Sequence, residues 1–205
     1  MVSYMVGRQL NEIYPERSAD CVKPSVVFEA RDVSGNGLSH VNLRIHEGEV
    51  LGLGGLVGAR RTEFAELIFG IRRKTSGQFF FKNQPIDPQS PKQAIGIGIG
   101  LVPEDRKAKG ALLELSVQEN INMPIYAKNA RTTVINAKSE KEIAERYISE
   151  LRIKTPGVLQ KVKNLSGGNQ QKVILAKWLA ADSELLIFNE PTRGIDVGAK
   201  REIYL

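Results

Sequence analysis

The chain has a single cysteine, Cys21, among its 205 residues, which excludes an intramolecular disulfide and suits a reducing compartment. No apolar stretch approaches the roughly 20 residues that a membrane-spanning helix needs. The opening MVSYMVGRQLNEIYPERSAD lacks the continuous apolar segment of a signal peptide. Zinc-ligand spacing, basic strands interleaved with aromatics and a recognition-helix pattern are all missing. A nucleic-acid partner is therefore not expected, in spite of a formal charge of +6. No fixed-period repeat is visible.

What is present fits one α/β domain with a sizeable core: 41% of residues are hydrophobic and 25% charged. Basic residues gather at Arg60, Arg61, Arg72, Arg73 and Lys74, then at Arg106, Lys107 and Lys109, and read as a solvated, slightly basic face. VVFEA (26–30) and VNLRI (41–45) alternate like antiparallel strands, with GNG as the turn between them. EVLGLGG (49–55) reads as a buried strand, and TEFAELIFG as a helix burying Phe64, Leu67 and Ile68 and stopping at Gly70. QFFFK and GIGLVPE read as further strands, and Ser116 with Glu119 forms a capping box that starts a helical stretch. EKEIAERYISELRI continues it, with Ile143, Tyr147 and Leu151 on one face. LLIF reads as a central parallel strand covered on both faces.

Three stretches carry chemistry. GGLVGARRTE (54–63) has the outline of a phosphate-wrapping loop, Gly-x-x-x-x-Gly-Lys-Ser/Thr, entered from a strand and leaving into a helix. From Gly55 the stretch runs through Leu56 and Val57 to Glu63 and supplies Gly58, Ala59 and Thr62 in place, but Arg60 stands at the second glycine and Arg61 at the lysine. NLSGGNQQKVILAKWLAAD offers Asn164 and Ser166 as caps before a long apolar helix, whose first amides suit a phosphate oxygen. Alone, this is also an ordinary glycine turn, and Trp178 reads as core. LLIFNEPTRGIDVGAK ends a strand in Asn189 and Glu190, where a magnesium ligand and a water-activating base belong in phosphoryl-transfer ATPases.

In this order and spacing the three stretches resemble the ATP-binding cassette (ABC) proteins. LSGGNQQKVILAKWLA and NEPTRGIDVGAK resemble the second cassette of the tandem ATP-binding subunits of bacterial monosaccharide importers, of the ribose, galactose, xylose and arabinose class. VPEDRKAKGALLELSVQENI resembles the Q-loop region of that family, and MVGRQLNEIYPERSA its inter-cassette linker, so the likeness covers nearly the whole chain.

The resemblance implies an α/β fold of the P-loop NTPase, ABC type: a RecA-like parallel core, an antiparallel β subdomain and a helical subdomain at about 111–163. It makes 1–20 the linker and 21–205 the cassette, incomplete at the C-terminus. Met1 would then lie mid-way along a longer subunit, and the chain would be a fragment or a split or decayed gene product. The implied cofactors are ATP and Mg²⁺, both bound weakly. Gly55 to Glu63, including Arg60 and Arg61, would hold nucleotide. Thr62 and Asn189 would face Mg²⁺, with Glu190 as general base, Glu104 as the Q-loop equivalent and Asp196 in the D-loop. The signature Leu165, Ser166, Gly167, Gly168, Asn169 and Gln170 would act in trans, on ATP held by a first cassette.

Implied partners are that first cassette, the membrane permease through the Q-loop and helical subdomain, and indirectly a periplasmic sugar-binding protein. The place would be the cytoplasmic face of the bacterial membrane. Arg61 and Glu104 match the second-cassette pattern. Arg60 replaces a glycine and Asn189 an aspartate, and no aromatic lies between Arg31 and Val41 to stack on adenine. The chain's own site is thus expected to be degenerate. Two rival readings are a soluble ABC-class protein of translation or DNA repair, against which GNQQK and TRGIDVGAK argue, and a non-hydrolytic remnant.

Overall fold

A computed structural model describes residues 21–128 and 136–204; the linker expected at 1–20 lies outside the described residues. The antiparallel part has four strands in the order β2-β1-β3-β4: β1 (Val26–Gly35), β2 (Leu38–His46), β3 (Ser76–Phe81) and β4 (Gln84–Ile86). The two strands anticipated from alternation are longer than expected and pair from Val26↔His46 to Gly35↔Leu38. β4 was not anticipated; at three residues it is too short to show a period. The sheet's inner face is aromatic. Phe28 and Phe79 stack at 5.6 Å, and Phe64 of helix α1 (Arg61–Ile68) meets Phe79 at 6.5 Å. α1 stops at Gly70, whose φ of 71° only glycine adopts freely.

The parallel part pairs β5 (Ile99–Val102) with β6 (Leu185–Phe188), in register from Ile99↔Leu185 to Val102↔Phe188. Parallel neighbours need a long crossover. Here it carries a π-helical turn (Arg106–Gly110), α3 (Val117–Lys128), α4 (Ala137–Glu150) and α5 (Gly167–Ala180). Short α2 (Pro91–Gly96) precedes β5, and α6 (Val197–Tyr204) follows β6. The capping box forms as expected: the Glu119 carboxylate accepts from Ser116 N at 2.7 Å, and the Ser116 hydroxyl accepts from Glu119 N at 3.2 Å. Trp178 of α5 is core, 5% exposed and edge-on to Phe69 at 5.5 Å.

Two sequence expectations are corrected. EVLGLGG is not a buried strand: Val50, Leu51 and Leu53 are 73%, 38% and 46% exposed, and the segment joins no sheet among the described residues. It runs instead along one wall of an apolar cleft of about 310 Å³ whose opposite wall is β6. Facing across that cleft, the two segments cannot share ladder hydrogen bonds, which need adjacent strands about 4.8 Å apart. In consequence β6 is not covered on both faces. Leu185 is buried, whereas Phe188 is 48% exposed at its free end.

Candidate functional site

The carboxyl ends of parallel strands are where α/β sheets place ligands. β5 and β6 end side by side, with Asn189 N donating to Val102 O at 2.9 Å. Beyond those ends the chain turns sharply: Glu190 has φ 50°, and Arg193 N donates to Glu190 O at 3.0 Å. Opposite lies the loop before α1. Ala59 N donates to Leu56 O at 3.0 Å, Gly58 sits at φ 91°, and Arg60 takes the helix N-cap at φ 59°. A left-handed residue is what a glycine-type loop requires at that place. Arg60 meets the requirement while its guanidinium reaches the β1–β2 turn, donating to Asn36 O at 3.4 Å. Gly37 there has no room for a side chain, since an added Cβ would lie 2.0 Å from Arg60 Nη1.

Loop and strand ends enclose one cleft of about 530 Å³. Of the residues singled out in the sequence, it brings together Leu56, Val57, Gly58, Ala59, Arg60, Arg61, Thr62 and Glu63 with Glu104, Asn189 and Glu190. Gly55 does not line it. Within the cleft, Arg61 Nη2 lies 3.5 Å from the Glu190 carboxylate, and Asn189 Nδ2 donates to Thr62 Oγ1 at 2.9 Å. Glu104 pairs with Arg193, a lining residue that sequence reasoning missed. Its only signal was a position three residues after Glu190.

Magnesium does not fit this donor set. The hydroxyl expected to ligate it is occupied by an amide N–H donor, and the neighbouring position carries no charge. Among the described residues no group of three or more His, Cys, Asp or Glu side chains could hold a metal ion.

The signature residues lie apart from this cleft, at the start of α5. Ser166 is the N-cap, but its side chain caps no backbone amide; its hydroxyl accepts from Asn169 Nδ2 at 2.9 Å. Asn164 belongs to a 3₁₀ turn (Val162–Asn164) and caps nothing in α5. Leu165 and Gly168 are buried, and Gln170 donates to Val162 O at 3.2 Å, so only Ser166, Gly167 and Asn169 present themselves to a partner. Asp196 is exposed and does not line the cleft.

One arginine assigned to the solvated basic face belongs elsewhere. Arg106 donates through Nη1 to Arg193 O and Gly194 O, both at 3.3 Å, and a Cβ on Gly167 would meet its Nη2 at 2.9 Å. Arg106 thereby ties the turn after Glu190 to the signature. Its turn is fixed by Asp105, whose carboxyl is held below its ordinary range by the Ala108 N–H, with the Lys107 N–H adding to it. At the far end of α5, burial pulls the Lys177 ammonium down to about 8, and its Nζ donates to Gly110 O at 2.9 Å.

The ABC transporter family profile matches residues 38–193. The chain is 47% identical over 206 residues to the arabinose import ATP-binding protein AraG of Vibrio parahaemolyticus, covering all of this chain and 40% of that protein. It is 43% identical over 213 residues to the xylose import ATP-binding protein XylG of Thermoanaerobacter pseudethanolicus, covering 42% of it. It is 42% identical over 205 residues to the ribose import ATP-binding protein RbsA of Bacillus cereus, covering 41% of it. The chain thus spans about two fifths of the length of the curated relatives it matches. Among solved structures, a dimeric post-hydrolysis ATP-binding cassette bound to ADP and phosphate superposes with a TM-score of 0.71 at 22% identity, over 86% of this chain and 79% of that one. A nucleotide-free ABC transporter cassette gives 0.72 at 19% identity, over 87% of this chain and 74% of that one.

Proposed function

Because the chain belongs to the ABC transporter ATP-binding family, we propose that it is the second ATP-binding cassette of a monosaccharide importer, with a degenerate nucleotide site of its own and a signature that serves a partner. The observation that carries this reading is the cleft formed by the phosphate-type loop and the ends of both parallel strands. The sugar class rests on relatives named for arabinose, xylose and ribose import. No helix among the described residues is long and apolar enough to cross a membrane. A permease docked at the cytoplasmic face would therefore supply the passage, and a periplasmic binding protein the sugar.

In the chain's own cleft, the amides of the loop and of the first turn of α1 can hold phosphate oxygens, and Arg61 can clamp them. Glu190 is the residue placed to accept a proton from water, but it stands paired with Arg61. The cleft keeps donors for phosphate but sets an uncharged amide, not a carboxylate, beside Thr62, so binding without turnover is the state this cleft favours. The signature differs. Gly167 opens a 14-residue helix beside Arg106, and no side chain caps the amides of its first turn. These donors are suited to negative charge developing on a γ-phosphate held by the first cassette.

The test compares ATP turnover by the purified chain, by an intact first cassette, and by the two together with permease and binding protein. Little turnover by the chain alone and a large gain on combining them is expected. Robust magnesium-dependent turnover by the chain alone would contradict the degenerate site.

A further inference from the structure

The poor fit to magnesium has a counterpart on the same walls. Resting on the nucleotide reading above, we propose that this cleft takes the polyphosphate of a nucleotide without a divalent cation, with Arg61 and Arg193 supplying the charge a metal supplies elsewhere. Asn189 donates to Thr62 Oγ1 at 2.9 Å, placing an N–H, which repels a cation, beside the hydroxyl. Turning the amide over would present an oxygen instead, but one with no charge. Two carboxylates of the cleft are each engaged by a guanidinium, Glu190 by Arg61 and Glu104 by Arg193.

A phosphate group meets the opposite situation. Both pairs are open to solvent: the Arg61 and Glu190 side chains are 37% and 47% exposed, those of Arg193 and Glu104 65% and 36%. Ion pairs so exposed are weak and exchange partners readily. The guanidinium fork matches two phosphate oxygens at once, in a way an ammonium does not. Glu190 and Glu104 can then turn to water while their arginines turn to phosphate. Arg60 is not part of this exchange, because its guanidinium lies on the β1–β2 turn.

The experiment measures ATP affinity of the full 205-residue chain by calorimetry, once in EDTA and once in excess Mg²⁺. The expected dissociation constants agree within about tenfold, a difference of about 1.4 kcal/mol. In EDTA, Arg61→Ala and Arg193→Ala should each weaken binding about tenfold or more, as loss of a charge-assisted phosphate contact does. Asn189→Asp should make binding metal-dependent, tightening it in Mg²⁺ relative to EDTA. Wild-type binding more than tenfold tighter in Mg²⁺ overturns this inference and leaves the nucleotide reading standing. Unchanged affinity in both arginine variants overturns it as well. Saturable binding under neither condition overturns the nucleotide reading, and this inference with it.

Discussion

Substituting aspartate for Ser166 should raise the chain's stability while damaging the function assigned to the signature. Ser166 has extended N-cap geometry, φ −62° and ψ 157°, yet makes no hydrogen bond to a helix amide. An aspartate in that geometry can accept from the free N–H groups of α5, a gain of about 0.5–2 kcal/mol. Its charge adds about 0.3–1 kcal/mol at a helix N-terminus. Loss of the Ser166 hydroxyl is offset, because the carboxylate can still accept from Asn169. A net gain of about 1 kcal/mol corresponds to about 2–4 °C in Tm for a chain of this size. The same charge would stand against the γ-phosphate of a partner's ATP, where loss of stabilising donors costs about 10²–10³-fold in rate. Thermal unfolding by circular dichroism gives the first quantity, and ATP turnover with an intact first cassette gives the second. Buried Gly168 is a poorer probe, because a side chain there would disturb packing and function together. Unaltered turnover in Ser166→Asp would refute the assignment of the signature to a trans site. A lowered Tm would refute the account of the missing cap.

Asn120, 1% exposed, accepts from Leu112 N and donates to Leu112 O and Ser116 O at 2.8–2.9 Å. Asn120→Ala should destabilise by about 2 kcal/mol, read as a lowered urea midpoint with unchanged slope. Glu29 is held down to about 2 from its ordinary 4.5, first by the hydrogen bond from Arg31 and then by that from Arg44. The folded-state value lies below the unfolded one, so this stability is complete above pH 4.5 and is lost as pH falls toward 2. Glu29→Gln should flatten that part of the acid-unfolding curve, and an unchanged curve would sink the assignment. Gly77 has φ 81°, and an added Cβ would lie 2.4 Å from Asp32 O; Gly77→Ala should cost about 3 kcal/mol or more. Gly96→Ala, with nothing within 4 Å, should be neutral or slightly stabilising, and equal effects at the two glycines would show that the backbone clash is not the cause.

Local physics is legible in the chain itself. Alternation marked β1 and β2, the apolar period marked α1 and α4, and Ser116 with Glu119 announced the start of α3, because each signal and its cause lie within a few residues. The order of phosphate-type loop, signature and Asn189–Glu190 was equally a property of the string, and it identified the family. Tertiary structure decided what pairs with what. EVLGLGG and LLIF read alike as apolar runs, yet only LLIF found a strand alongside, because hydropathy measures a residue's preference and a ladder needs a neighbour at the right distance. The Asn189–Thr62 hydrogen bond joins positions 127 residues apart. Arg106 and Arg193 took their places only when β5 and β6 ended side by side, drawing Glu104, Arg193 and the start of α5 together. Charge counted along a sequence cannot tell a solvated arginine from one that bridges two loops, since that difference depends on which carbonyls and carboxylates the fold brings within reach.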